Sequence, residues 1–315
     1  MDSALTDRLS HADPVVRRVA LLSLLDEMDP DAAEPVLIAA LGDPVREVRL
    51  EAAKALEAQD SPAAVAGLLK ALEDIEPTVR AAAAQSLSAV KNPAIGALLL
   101  AQADNSDAGV RAAIFRALRE LRLPETTLPA LKGLSDEDAR VRREAVAVLG
   151  WLKAHSALPQ MVVLATSDPD AEVRRAAVGA IGFSAEALVS NAVQSALADP
   201  DWQVRETAAA VTGKLGLQAL ALALIAALHD SHWQVRLKTA HSLGRLKEGN
   251  AVAALCGLLF DPVSNLRKEA ALALGEIADP ASIDPLLEAA SDPDPDVRKA
   301  ANLASCRISA LHNLV

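Results

Sequence analysis

The residues best suited to chemistry in this 315-residue chain gather in one stretch. His229 and His232 stand in "HDSH", with His241 and Cys256 further on. Imidazoles and a thiolate are the ligand types zinc prefers. The context argues against a metal. His229 and His232 straddle an expected turn, where solvated histidines are common. Cys256 sits in the apolar run "AVAALCGLLF", which reads as the setting of a structural thiol. The two cysteines, Cys256 and Cys306, lie 50 residues apart with no CxxC pair. That excludes a disulfide framework and fits a reducing compartment. An iron–sulfur cluster would need two chains to pool their thiols. No P-loop, strand-borne GxGxxG, HExxH or GxSxG occurs, and no spacing singles out a Ser-His-Asp triad. The expectation is no catalytic residue, no metal and no cofactor.

Recognition is the better-supported chemistry. "DPDWQVRETAAAV" from Asp199 and "DSHWQVRLKTAHS" from Asp230 match at an offset of 31 residues. They place Trp202 and Trp233, two of three tryptophans, at one equivalent position in a chain with 2% aromatic residues. Tryptophan is enriched in binding hot spots. Two indoles on adjacent repeats could grip an extended peptide, or stack on an apolar or cationic side chain. Gln203, Arg205, Gln234, Arg236 and His241 surround them as candidate contacts. Self-packing over turn residues such as Pro200 and His229 is the competing expectation.

The elements that position these residues follow from an internal repeat. Val or Leu followed by Arg, with Ala, Thr or Ile three residues later, marks Arg17, Arg49, Arg80, Arg111, Arg142, Arg174, Arg205, Arg236, Arg267 and Arg298. The spacing is always 31 or 32 residues. Six residues before the Arg stands Asp43, Asp74, Asp136, Asp168, Asp199, Asp230, Asp261 or Asp292; His11 and Asn105 replace it in the first and fourth copies. Each copy reads as two short helices. Asp43 suits an N-cap and Pro44 the first helical position. Val48, Ala52 and Leu56 then share a face, "QDSP" breaks the chain, and Val65, Leu68, Leu69 and Leu72 start a second pattern. One hairpin cannot bury its own apolar face, so neighbours must stack into a solenoid. Within such a repeat Trp202 lies about 200° round the helix from core-facing Val204. The other copies put Pro14, Arg46, Pro77, Ala108, Ala139, Ala171, Ser264 and Pro295 there, so folding does not require an aromatic.

Composition agrees. Hydrophobic residues make up 51% with no tyrosine, so close packing of small side chains must fill the core. The net charge of −11 disfavours a phosphate-backbone binder. The start, "MDSALTDRLSHADP", has no secretory pattern, and "LQALALALIAAL" is too short to span a bilayer. These features predict a soluble cytoplasmic protein with no membrane or nucleic-acid partner.

The D-P-x-x-x-V-R-x-x-A-A-x-A-L-like unit resembles the HEAT-like repeats of the phycobilisome-lyase type, over essentially the whole chain. The resemblance implies an all-α, right-handed α-solenoid of about ten two-helix repeats, continuous over 1–315. It implies that the Arg-bearing helices line the concave side. It also implies an Asp/Arg ladder between repeats, carried here by Asp43/Arg49, Asp74/Arg80, Asp136/Arg142, Asp168/Arg174, Asp199/Arg205, Asp230/Arg236, Asp261/Arg267 and Asp292/Arg298. Asn105 puts the rung of Arg111 in doubt. Relatives with this repeat include scaffolds, regulators, chaperones and chromophore lyases. Iron-binding hydroxylases of the type use His-Glu pairs, which this chain lacks. Relatives that act on DNA need a basic groove, and here Arg17/Arg18, Arg142/Arg143 and Arg174/Arg175 are interleaved with Glu144 and Glu172.

The function expected is a non-catalytic scaffold or adaptor that binds another protein along the groove at repeats seven to nine. The alternative is a chromophore-lyase subunit or a metal or iron–sulfur maturation factor. The leading helices of repeats eight and nine carry no charge. Either an added layer covers them or a partner does, and with Leu311 and Leu314 they offer a route to a homodimer.

Overall fold

The computed structural model describes residues 3–312. It is all-helical there, with no strand among the described residues. The twenty α-helices form ten successive pairs, each made of a leading helix and an Arg-bearing helix. They divide into two compact units, Met1–Ala154 and His155–Val315.

The first unit holds α1 (Ser3–Leu9), α2 (Pro14–Glu27), α3 (Pro30–Ala40), α4 (Arg46–Ala55), α5 (Pro62–Ala71), α6 (Pro77–Ser88), α7 (Gly96–Leu100), α8 (Ala108–Leu121), α9 (Thr127–Gly133) and α10 (Ala139–Trp151). The second holds α11 (Leu158–Ser167), α12 (Ala171–Ile181), α13 (Ala187–Ala196), α14 (Trp202–Leu215), α15 (Ala221–Ala227), α16 (Trp233–Leu246), α17 (Val252–Leu258), α18 (Ser264–Ile277), α19 (Ile283–Ala289) and α20 (Pro295–His312). Within each unit every Arg-bearing helix packs on the next: α2 on α4, α4 on α6, α6 on α8 and α8 on α10, then α12 on α14 through to α18 on α20.

The core repeats with the sequence. Val48, Ala52 and Leu56 are fully buried, as are Val204, Ala208, Val235, Ala240 and Leu243 or nearly so. Small side chains set the helix separation in the second unit. A Cβ on Gly213 would collide with Ser242. One on Gly244 would lie 2.8 Å from the Ala273 backbone, and one on Gly275 would lie 2.9 Å from Ala304. These glycines recur every 31 residues. They let α14, α16, α18 and α20 approach more closely than a side chain would permit.

Helix starts differ from the sequence expectation. Asp43 does not cap α4. Its Oδ1 accepts from the Val45 amide at 2.8 Å, and the helix begins at Arg46 with Val45 as N-cap. Asp199 and Asp230 behave alike, accepting from Asp201 and His232, each at 2.8 Å. The cap falls on the residue before the helix: Asp201 caps α14 through the Gln203 amide. Trp202 and Trp233 are therefore the first residues of their helices, where caps at Asp199 and Asp230 would have made them the third. The physical reason is that the earlier side chain accepts from the amide two residues on and closes a turn of its own, so the helix starts one residue after that amide. The Asn105 side chain, which no ladder arginine holds, does the same with the Asp107 amide.

Helix ends are also periodic. Arg122, Lys153, Gly216, Lys247 and Ala278 adopt positive φ at equivalent places. This left-handed stop leads into the next leading helix.

Candidate partner-binding surface

The ladder fixes the turns on which the tryptophans sit. Arg205 donates from Nε to Asp230 Oδ2 at 2.6 Å and from Nη2 to Oδ1 at 3.0 Å. Its Nη1 donates to the Asp199 carbonyl at 2.8 Å. Arg236 reaches Asp261 at 2.9 Å and the Asp230 carbonyl at 2.9 Å. The register is thus offset from the pairs named above. Both arginines touch their own repeat's Asp through the backbone carbonyl and give their charged fork to the Asp of the following repeat. Arg17–Asp43, Arg49–Asp74, Arg111–Asp136, Arg174–Asp199 and Arg267–Asp292 repeat the arrangement. The rung of Arg111 is intact. Asn105 instead removes the partner of Arg80, one repeat earlier. A seven-residue motif cannot show this offset, because it contains only the Asp six residues before the arginine, whereas the Asp that takes the fork lies 25 residues beyond it.

These ion pairs set the charge state of the turns. The Arg49 guanidinium holds Asp74 below the usual carboxylate range, and Arg267 does the same for Asp292. At Asp230 burial opposes ionisation, but Arg205 and the His232 amide outweigh it. Arg205 and Arg236, candidates from sequence, have little exposed side chain, at 15% and 17%. Their role in the structure is to hold the turns.

The indoles stand just beyond. Trp202 is half-buried, and its ring lies parallel to the His232 imidazole, centroids 5.3 Å apart at 7°. The ring partner of Trp202 is thus the histidine that precedes Trp233. The same cross-repeat register joins Arg46 to Glu76 at 3.8 Å and Ser264 to Asp294. In that register the position opposite Trp233 is Val263. Trp233 itself is 38% exposed. Gln203 and Gln234 are half-buried beside them.

Two features near the tryptophans escaped the sequence reading. The residue before each Arg-bearing helix is acidic in most repeats: Asp13, Glu76, Asp107, Asp138, Asp170, Asp201 and Asp294. In repeats eight and nine it is His232 and Val263. Phe260, 59% exposed, lies in the adjoining turn. The turn edge therefore lacks its acidic residue beside Trp233 and Phe260; repeat two, with Val45, lacks it without an aromatic, and Asp201 remains before Trp202. Aligning the repeats on the helix start, not on the Arg, would have revealed this.

His241 belongs elsewhere. It is exposed, and its Nδ1 lies 2.8 Å from Glu269 Oε1. With Leu272, Gly275, Leu303 and Arg307 these two line a groove of about 270 Å³ between α16, α18 and α20. Eight residues of helix separate it from Trp233, about 12 Å along the axis. The sequence candidates thus form two neighbouring patches, an aromatic turn edge and a shallow groove.

The remaining candidates are dispersed. Burial raises the half-buried Cys256 thiol above its ordinary value, which disfavours the reactive thiolate. His229 is exposed. No group of three or more His, Cys, Asp or Glu among the described residues could hold a metal ion. Arg18 pairs with Glu51 and Arg143 with Glu144, so these basic residues are neutralised locally. No added layer covers α15 and α17 among the described residues: Leu222 is 76% exposed, and Ala226, Ala253 and Gly257 are exposed. Leu311 is exposed, and Leu314 lies outside the described residues. No described helix is long and apolar enough to cross a membrane.

Comparison with known proteins agrees with this geometry. No curated protein matches the chain in sequence. Among solved structures it is similar to an engineered protein at 21% identity and TM-score 0.55, covering 97% of this chain and 98% of that one. It is similar to YibA of Escherichia coli at 19% identity and TM-score 0.57, covering 93% and 97%. It is also similar to yeast importin-β, Kap95p, at 15% identity and TM-score 0.63; the match covers 97% of this chain and half of Kap95p. At these identities the likeness concerns the fold alone. The model of HEAT repeats matches residues 3–88, 95–182, 162–226 and 220–305. With ten helix pairs, a cross-repeat ladder and this match over most of its length, the chain is an α-solenoid and belongs to the HEAT-repeat family.

Proposed function

We propose that the protein is a non-catalytic scaffold that binds another protein through the turn edge of α14, α16 and α18. Trp202 and Trp233 are the anchors, Gln203 and Gln234 offer hydrogen bonds, and His241 marks a second contact in the groove beyond. Arg205 and Arg236 keep the edge in register through their aspartates. The observation that carries this reading is the exposed Trp233, at a position where other repeats carry Pro, Ala, Arg or Ser. An exposed indole costs solubility, and a rigid, partly preformed platform lowers the ordering cost of binding. HEAT solenoids are commonly interaction scaffolds, and the structural neighbour Kap95p binds RanGDP and forms a complex with Nup1.

The partner in this reading is a protein and not a nucleic acid. Net charge is −11, and most of the ladder arginines give their fork to an aspartate of the next repeat. The site of action is the reducing cytoplasm, consistent with two unpaired cysteines. The test pairs capture with spectroscopy. Proteins retained by the wild-type chain from its native host are compared with those retained by Trp202→Ala/Trp233→Ala. The recovered partner is then titrated into a Trp151→Phe variant, whose emission reports only Trp202 and Trp233. A blue shift on titration and at least tenfold weaker binding by the double variant are expected. Retention of every partner at wild-type strength would sink the proposal.

A further inference from the structure

Arg80 stands in the ladder without a carboxylate. Its Nη1 donates to the Asp74 carbonyl at 2.7 Å and the Ile75 carbonyl at 3.0 Å. Arg111 makes the same two bonds, at 2.8 and 3.1 Å, and so does Arg205, at 2.8 and 3.1 Å. The Arg80 guanidinium is therefore anchored like its equivalents, with its Nε–Nη2 edge turned toward the next repeat. At Arg49 that edge meets Asp74 at 2.6 and 2.8 Å. At Arg111 it meets Asp136, both bonds at 2.8 Å.

Opposite Arg80 the chain has Asn105. Its Oδ1 preserves the turn by accepting from the Asp107 amide at 2.9 Å. Its Nδ2, however, is a donor where an aspartate would offer a second acceptor. A donor cannot satisfy the arginine fork, and Nδ2 turns away to Gln102 Oε1 at 3.0 Å and Glu73 Oε1 at 3.3 Å. Arg80 Nε and Nη2 are left with no partner among the described residues. The side chain is half-buried, so its fork is held in place yet reachable from solvent.

We propose that this vacated rung is a carboxylate-binding site. A planar carboxylate from outside the repeat docks two-pronged on Nε and Nη2 of Arg80, in the slot that an aspartate fills elsewhere. Paired parallel N–H donors match the two oxygens of a carboxylate in spacing and plane, which a spherical halide does not. The nearby Glu73 opposes the incoming charge and keeps a free carboxylate to weak affinity, about 10 mM. The site lies in the first unit and is independent of the tryptophan edge.

The carboxylate can come from a small free acid or from an acidic side chain of a partner, and the experiment separates them. The probes are sodium acetate and N-acetyl-Gly-Glu-Gly-amide, whose single carboxylate is a side chain. Binding to the full chain is read from the ¹⁵N–¹H resonance of Arg80 Nε, assigned by its loss in Arg80→Gln, and from the melting temperature. Saturable shifts of that resonance by acetate are expected. A rise in melting temperature of about 2 °C should accompany them. Tighter saturation by the peptide assigns the site to a protein side chain; equal saturation assigns it to a free carboxylate. Asn105→Asp should fill the slot, raise the melting temperature without ligand and abolish both responses. The proposal is overturned if sodium chloride at matched ionic strength gives the same saturation. It is also overturned if Asn105→Asp responds like wild type, or if that variant is no more stable than wild type.

Discussion

The turns around Arg80 and Arg205 are built on one plan and depart from it differently. At Arg205 the plan is complete: fork to Asp230, carbonyl of Asp199 beneath, and an indole added at a position the plan leaves free. At Arg80 nothing is added, and a member of the plan itself is changed, Asp to Asn at 105. An addition outside the plan leaves folding intact and creates surface. A change inside it leaves a charged group unsatisfied. The two regions also differ in how their helices meet. In α14, α16 and α18 the eighth residue after the Arg is Gly213, Gly244 or Gly275, and each helix closes on the next. The corresponding residues after Arg49 and Arg80 are Glu57, just past the end of α4, and Ser88, the last residue of α6.

The sharpest way to break this contrast is to fill a glycine contact. Gly244→Val drives a side chain into the Ala273 backbone and should cost about 3 kcal/mol in urea unfolding. Ser88→Gly, its counterpart in the first unit, should change stability by roughly 1 kcal/mol or less. Equal effects would mean that close packing does not distinguish the regions.

Next comes the ladder. Asp230→Asn would copy the Asn105 arrangement onto Arg205 and should lower stability by about 2 kcal/mol. The pH dependence has a fixed sign. Asp74, Asp199, Asp230 and Asp292 titrate below their unfolded values, so the folded state binds fewer protons there. Their contribution is fully present above the unfolded pKa of about 3.9 and is lost as pH falls through the lower folded values. The melting temperature should stay level from neutral pH to about 5 and drop steeply below about 4. Asp230→Asn should show a shallower acid limb. A limb of unchanged steepness would remove the ladder as the acid-sensitive element.

Smaller effects test the two indoles against each other. Trp202→Ala removes the stack on His232 and should cost about 1 kcal/mol. Trp233→Ala should cost less, about 0.5 kcal/mol, because the residue is 38% exposed and no ring among the described residues is stacked on it. If Trp233→Ala costs more than Trp202→Ala, the exposed indole is a packing residue, not an anchor. Last, Ala278→Gly should raise stability by about 0.5 kcal/mol, since Ala278 holds φ near 60°. Gly216 at the equivalent stop already has the favoured residue.

Much of this was legible in the residues. The 31-residue period placed all ten Arg-bearing helices, and the buried Val, Ala and Leu positions followed from helical spacing. That Trp202 and Trp233 lie outside the repeat pattern was also readable. Other features were not. A sequence motif shows that Arg and Asp recur but not which Asp an Arg reaches, because the next repeat's Asp becomes near only when helices stack. For the same reason the consequence of Asn105 was expected at Arg111 and lies at Arg80. His232 under Trp202 is likewise a contact across repeats.

Local chemistry determined this protein's period, its helix pairs and its apolar stripes. Side-chain shape and backbone preference act over a few residues, so they can be read along the chain. Tertiary packing alone decided where each charge goes. It set the ladder one repeat out of step, divided the candidate site into a turn edge and a groove, and left the Arg80 fork open. Those outcomes depend on distances between helices, and the distances are set by how small residues such as Gly213, Gly244 and Gly275 let the stack close.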